Sequence, residues 1–126
     1  MREIKFRGKR LDNGEWVYGD YHHRAGGTHC IIDMQPNFQG KVVYVVIQVD
    51  AETVGQFIGL RDKNGKEIYF GDIVRNKYGD TGKVVWFPDC SIRIDWGGGD
   101  IHFIDLDLEL EVVGNIYDNP ELLESL

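Results

Sequence analysis

Apolar and polar residues alternate from the start of the chain. Ile4 and Phe6 are interleaved with Lys5, Arg7 and Lys9, which predicts a half-buried strand. Leu11-Asp12-Asn13-Gly14-Glu15 predicts a hairpin turn, because Asn-Gly tolerates the positive φ that a type I′ turn needs at both central residues. Trp16-Val17-Tyr18 returns as a strand that ends at Gly19-Asp20. Residues 21–29 read as a polar loop, Cys30-Ile31-Ile32 as a short strand and residues 35–40 as a turn. Val42 to Ile47 is apolar at every position, which predicts a central strand buried on both faces. Asp50 is placed to cap one helical turn through Thr53 and Val54, with Gly55 limiting its length.

The stretch from Gly59 to Asp72 echoes the beginning. Asn64-Gly65 stands where Asn13-Gly14 stood, and Phe70-Gly71-Asp72 answers Tyr18-Gly19-Asp20, with a spacing that differs by one residue. Two similar hairpins are expected, not a repeat array. Short strands then follow at Ile73–Arg75, Lys83–Phe87, Ser91–Trp96, Ile101–Ile104 and Leu106–Val113, separated by Gly-, Pro- and Asp-rich turns. Asn119-Pro120-Glu121 opens a short helix whose Leu122, Leu123 and Leu126 form an apolar side. The expected fold is all-β: an N-terminal mixed β subdomain (1–58), a small SH3-like or OB-like β-barrel (59–118) and a C-terminal helical tail (119–126).

Composition agrees with a folded β chain. Hydrophobic residues make up 42% of the 126 positions and there are 16 glycines, which suits short strands and tight turns. The apolar run at Val42–Ile47 is far shorter than the roughly 20 residues of a spanning helix, and the start has no apolar signal segment. A cytoplasmic location and two free thiols, Cys30 and Cys90, are expected.

Charge narrows the partners. The net charge is −7, which disfavours a general nucleic-acid binder. Residues 94–126 hold nine acids and neither Lys nor Arg, while the first ten residues carry Arg2, Lys5, Arg7, Lys9 and Arg10. Within the acidic part, Asp105, Asp107, Glu109 and Glu111 alternate with Leu106, Leu108, Leu110 and Val112. As a strand this places all four carboxylates on one face. That face could pair with Lys5, Arg7 and Lys9 within one chain or between copies, could bind a partner protein, or could simply be solvated.

Other chemistry is thin. His22, His23, His29 and Cys30 are possible zinc ligands, but their spacing fits no standard site and a solvated loop is the favoured reading. Cys with His also raises nucleophilic catalysis, for which the sequence shows no activated thiol. Trp96-Gly97-Gly98-Gly99-Asp100 lacks the Lys and the helix of a phosphate loop. The acids Asp12, Asp20, Asp62 and Asp72 are read as turn residues that bond backbone amides. No catalytic residue, metal or cofactor is expected.

Three blocks carry a family resemblance. They are Arg2–Lys9 with Gly14–Asp20, then Glu52–Leu60 with Asp62–Tyr69 and Gly71–Val74, and finally Val113–Leu123. Together they resemble the YopX family of phage and prophage proteins over essentially the whole chain. The resemblance implies a phage- or prophage-encoded, largely β protein and brings no activity or site residue with it. The leading expectation is a non-enzymatic protein-interaction module in the host cytoplasm. Its expected partners are a host or phage protein and further copies of itself, with no membrane. A nucleic-acid-associated protein, stacking bases on Trp86 and Trp96, and a metal-dependent enzyme are the alternatives.

Overall fold

The computed structural model describes residues 4–123. Among the described residues eleven strands lie in two antiparallel sheets. The chain divides between Phe57 and Ile58 into two compact units.

The first unit is built on β1 (Phe6–Lys9), β2 (Trp16–His23), β3 (His29–Pro36), β4 (Val42–Gln48) and the start of β5 (Gly55–Arg61). With β6 (Glu67–Tyr69) the sheet order is β4-β3-β2-β1-β5-β6. Strand β2 does not stop at Gly19-Asp20 but continues through His23. The residue that permits this is Gly19, where a Cβ would stand 2.2 Å from the Ile32 carbonyl oxygen of the neighbouring strand. Of the expected loop 21–29, residues 21–23 and His29 are therefore strand, and only 24–28 form the turn. Arg24 N–H bonds Thr28 O at 2.8 Å and closes the turn between β2 and β3. Ile31, Ile47 and Val49 form the buried core, with Phe6, Val17, Tyr21, Val45 and Val54 packed against it. Arg7 is also buried, its guanidinium lying over the Trp16 ring at 4.6 Å. Asp50 caps a 3-10 turn (Ala51–Thr53) by accepting the Glu52 N–H.

The second unit contains the end of β5, then β6, β7 (Asp72–Arg75), β8 (Thr81–Trp86), β9 (Ile92–Asp95), β10 (Ile101–Phe103) and β11 (Glu111–Asn115). Its sheet order is β10-β9-β8-β7-β11. The sheet is open, with β10 and β11 as edges, so the expected closed barrel is not formed among the described residues. Ile58, Ile68, Val74, Val84, Ile94 and Leu110 make its core.

The echo between the two Asn-Gly segments has a structural counterpart. Both are hairpin turns with glycine at positive φ, 73° at Gly14 and 82° at Gly65. Arg10 N–H bonds Glu15 O in the first, and Asp62 N–H bonds Lys66 O in the second. The first loop has one residue more before its Asn-Gly, while the offset in sequence lies after it, where Gly65 and Gly71 stand one position further apart than Gly14 and Gly19. The expected C-terminal helix is a 3-10 turn, Pro120–Leu123, and residues 124–126 lie outside the described residues. The Asn119 side chain does not cap it. Its Oδ1 accepts the Asn115 N–H at 3.3 Å, while its carbonyl accepts the Leu122 N–H. Among the described residues no helix is long and apolar enough to cross a membrane.

Candidate protein-interaction surface

The all-apolar segment Val42–Ile47 is not a central strand. It forms most of β4, and β4 is the outermost strand of its sheet. Alternation then divides it. Val45, Ile47 and Val49 turn to the core, whereas Val42, Tyr44 and Val46 turn to solvent, exposed by 64%, 73% and 46%. Strand β3 continues the exposed face: Met34, 60% exposed, lies opposite Tyr44, and Ile32 lies opposite Val46. Phe38 at the hairpin tip is fully exposed. Beside Met34 a shallow groove of ≈ 220 Å³ is lined by Ile4, Lys5, Gly19, Asp20, Ile32, Asp33 and Met34. A contiguous exposed apolar patch of this kind marks an interaction site more often than an accident. Periodicity shows that both faces of a strand are apolar, not that both are covered. That is why the sequence suggested burial.

An edge strand normally carries a device against unwanted pairing, such as a Lys, a Pro or a bulge. Strand β4 carries none of these. Its seven residues pair with β3 in unbroken register from Val42 to Gln48, and no charge occurs from Val42 to Val49.

The histidines fall on the β2–β3 hairpin. His23 lies opposite His29 and stacks on it at 4.1 Å between ring centroids, and His29 Nδ1 shares a 2.5 Å hydrogen bond with Tyr21 Oη. Cys30 is buried and His22, its cross-strand neighbour, is exposed. Among the described residues no group of three or more His, Cys, Asp or Glu is placed to hold a metal. Cys90 is exposed in a turn at φ 65°.

The acidic ladder expected at Asp105, Asp107, Glu109 and Glu111 is not a strand, and this corrects the reading above. Leu106–Leu108 is a 3-10 turn with Asp105 as its cap, accepting the Asp107 N–H at 3.0 Å. Glu109 follows in the left-handed conformation at φ 55°, and only Glu111 belongs to β11, where it meets Lys63 at 3.3 Å. Side-chain capping by Asp competes with the strand ladder, and folding the segment into a turn avoids aligning four like charges. The four carboxylates therefore share no single strand face. Arg7 and Lys9, two of the three expected partners, both lie over Trp16.

Asp62 ties a turn to a distant strand. It is 8% exposed. Its Oδ1 accepts the Asn64 and Lys66 N–H groups at 2.8 and 2.9 Å, and its Oδ2 accepts the Val112 N–H at 2.9 Å. Burial raises its pKa, but the three backbone donors and the Lys66 charge outweigh it and hold the carboxyl below its ordinary value. Asp72, also buried, accepts the Tyr69 N–H at 2.8 Å. Both are turn acids, as the sequence suggested.

The second unit has an aromatic and basic patch of its own. The Arg93 guanidinium lies 4.3 Å from the Phe87 ring and 4.5 Å from the Phe103 ring, and it also bonds Asp89 and Ser91. Its Nε and Nη2 are thus engaged by neighbours. Trp86 is half exposed and meets Phe70 edge-on at 5.1 Å, while Trp96 packs against the core. Only Trp86 of the two is open for stacking.

These features define a class: an all-β chain of two antiparallel sheets with an exposed apolar edge. The chain belongs to the YopX protein family, whose family model matches residues 5–124. Its fold is similar to that in the crystal structure of protein EF1440 from Enterococcus faecalis. The two share 22% identity and a TM-score of 0.53, over 98% of this chain and 100% of the other. At that identity the likeness concerns the fold alone. No curated protein matches the chain.

Proposed function

We propose that the chain is a non-enzymatic protein-interaction module, carried by a phage or prophage and acting in the host cytoplasm, that binds through the β3–β4 hairpin. One observation carries this reading. An uncharged apolar strand stands at a sheet edge with Val42, Tyr44 and Val46 in solvent and Met34 beside them. The family resemblance supports the phage setting. Such a surface can add a partner strand through main-chain hydrogen bonds while its apolar side chains select the sequence.

The test is affinity capture from host lysate with the wild type and two double variants. Met34→Asp with Val46→Asp places charge on the apolar face. Asp107→Lys with Glu109→Lys reverses charge on the acidic turn. The reading expects one specific protein to be captured by the wild type and by the charge reversal, and lost with the first pair. Loss with the charge reversal alone would transfer binding to the acidic turn and sink the hairpin assignment. The nucleic-acid alternative receives less support, because Arg93 is held by Asp89 and Ser91 and no closed barrel is formed among the described residues.

A further inference from the structure

We propose that the free edge of β4 pairs with β4 of a second copy, antiparallel and about a twofold axis at Tyr44. The inference deepens the reading of the hairpin as a binding surface by naming one occupant, the chain itself.

The backbone sets the register. Val49 N–H bonds His29 O, so residues 43, 45, 47 and 49 aim their main-chain groups at β3 and the even residues aim outward. Leu11 N–H already occupies the Gln48 carbonyl. Val42, Tyr44 and Val46 are left as the outward edge, and no described residue bonds their outward groups. An isologous contact must map this edge onto itself. With the axis at Tyr44, each Tyr44 faces its own counterpart and Val42 of each copy faces Val46 of the other. Every outward residue then sits in a hydrogen-bonded pair that exchanges both N–H···O bonds. Shifting the axis by one residue to either side leaves outward groups unmatched or sets them against the occupied Gln48.

Charge selects the direction. Lys41 precedes the uncharged stretch, and Asp50 and Glu52 follow it, all exposed. Antiparallel pairing brings the lysine end of each copy to the acidic end of the other, twice by symmetry. Parallel pairing would set lysine beside lysine. A chain of net charge −7 repels its copies elsewhere, so an uncharged edge with complementary ends is where two copies can approach.

Sedimentation equilibrium of the full chain over a wide concentration range tests this. The wild type is expected to rise from 14.4 kDa toward twice that mass. Tyr44→Lys and Tyr44→Glu each set like charges across the axis and should stay at the lower mass, whereas mixing the two should restore the dimer. Tyr44 is mostly solvent-exposed, and unchanged thermal melts of both variants would show that neither loses the fold. A wild type that stays at 14.4 kDa throughout, one that grows past the dimer, or a dimer indifferent to both substitutions would each overturn the pairing. None of these bears on capture of a foreign protein by the hairpin, which the Met34/Val46 variant judges separately.

Discussion

Replacing Asp62 should make the second unit easier to unfold. The carboxylate joins a turn to a strand fifty positions away, with three backbone N–H groups on its two oxygens. In Asp62→Ala the Val112 N–H loses its acceptor beneath the turn, at a cost of about 1–3 kcal/mol for a buried unsatisfied donor. The Asn64 and Lys66 amides lie in the hairpin turn, where water can partly replace the lost oxygen, adding about 1 kcal/mol between them. The sum is about 3 kcal/mol, a large part of the ~5–15 kcal/mol by which domains are stable. With a urea slope near ~2 kcal/mol per molar, the midpoint should fall by about 1.5 M. Asp62→Asn keeps the oxygen for Asn64 and Lys66 but turns its amide toward the Val112 N–H, and should lose about 2 kcal/mol, the worth of one charge-assisted bond. The pH dependence follows from the lowered folded pKa. Stability from the ionised group is fully present above the unfolded value of about 3.9 and is lost as pH falls through the folded value. The difference between wild type and Asp62→Asn should therefore narrow below about pH 4. An Asp62→Ala protein with an unmoved urea midpoint, or a wild-type advantage over Asp62→Asn that persists unchanged into acid, would refute the reasoning.

Other outcomes follow from the same packing. At Gly114 a Cβ would lie 2.6 Å from the Asn119 side-chain oxygen, so Gly114→Ala should displace Asn119 from Asn115 and cost about 1–3 kcal/mol, read from the thermal midpoint by circular dichroism. Gly82→Ala meets Ile94, Trp96 and the Asp95 carbonyl, all within 2.9 Å, and should cost at least as much, with a shift in Trp fluorescence as Trp96 moves. With a thiol reagent, exposed Cys90 should react in the native protein and buried Cys30 only after denaturant is added; two fast native thiols would show that the β2–β3 core is not closed.

Much of the fold was legible because its signals are local. The Asn13-Gly14 and Asn64-Gly65 turns need backbone freedom that few other residues supply, and both appear as hairpins. Asp50 caps its own neighbours, and Asp62 and Asp72 bond turn amides. The alternating strands and the glycine-rich turns made the chain read as all-β. The errors fell where local pattern has two solutions. Asp105–Glu111 alternates perfectly, yet Asp105 captures the Asp107 amide and the segment becomes a turn. Residues 21–29 look polar, yet Gly19 lets β2 run past Ile32 and the histidines become strand residues.

The sequence by itself determined the class of fold, the two Asn-Gly turns and the family to which the chain belongs, since each depends on residues near one another in the chain. Tertiary structure alone decided that Val42–Ile47 is an edge and not a centre, because that depends on which strands arrive beside it. Strand β3 takes one side and Leu11 takes only the last carbonyl of the other. The same pairing that hides Ile47 leaves Tyr44 in water, and the surface proposed to bind a partner is a product of that placement.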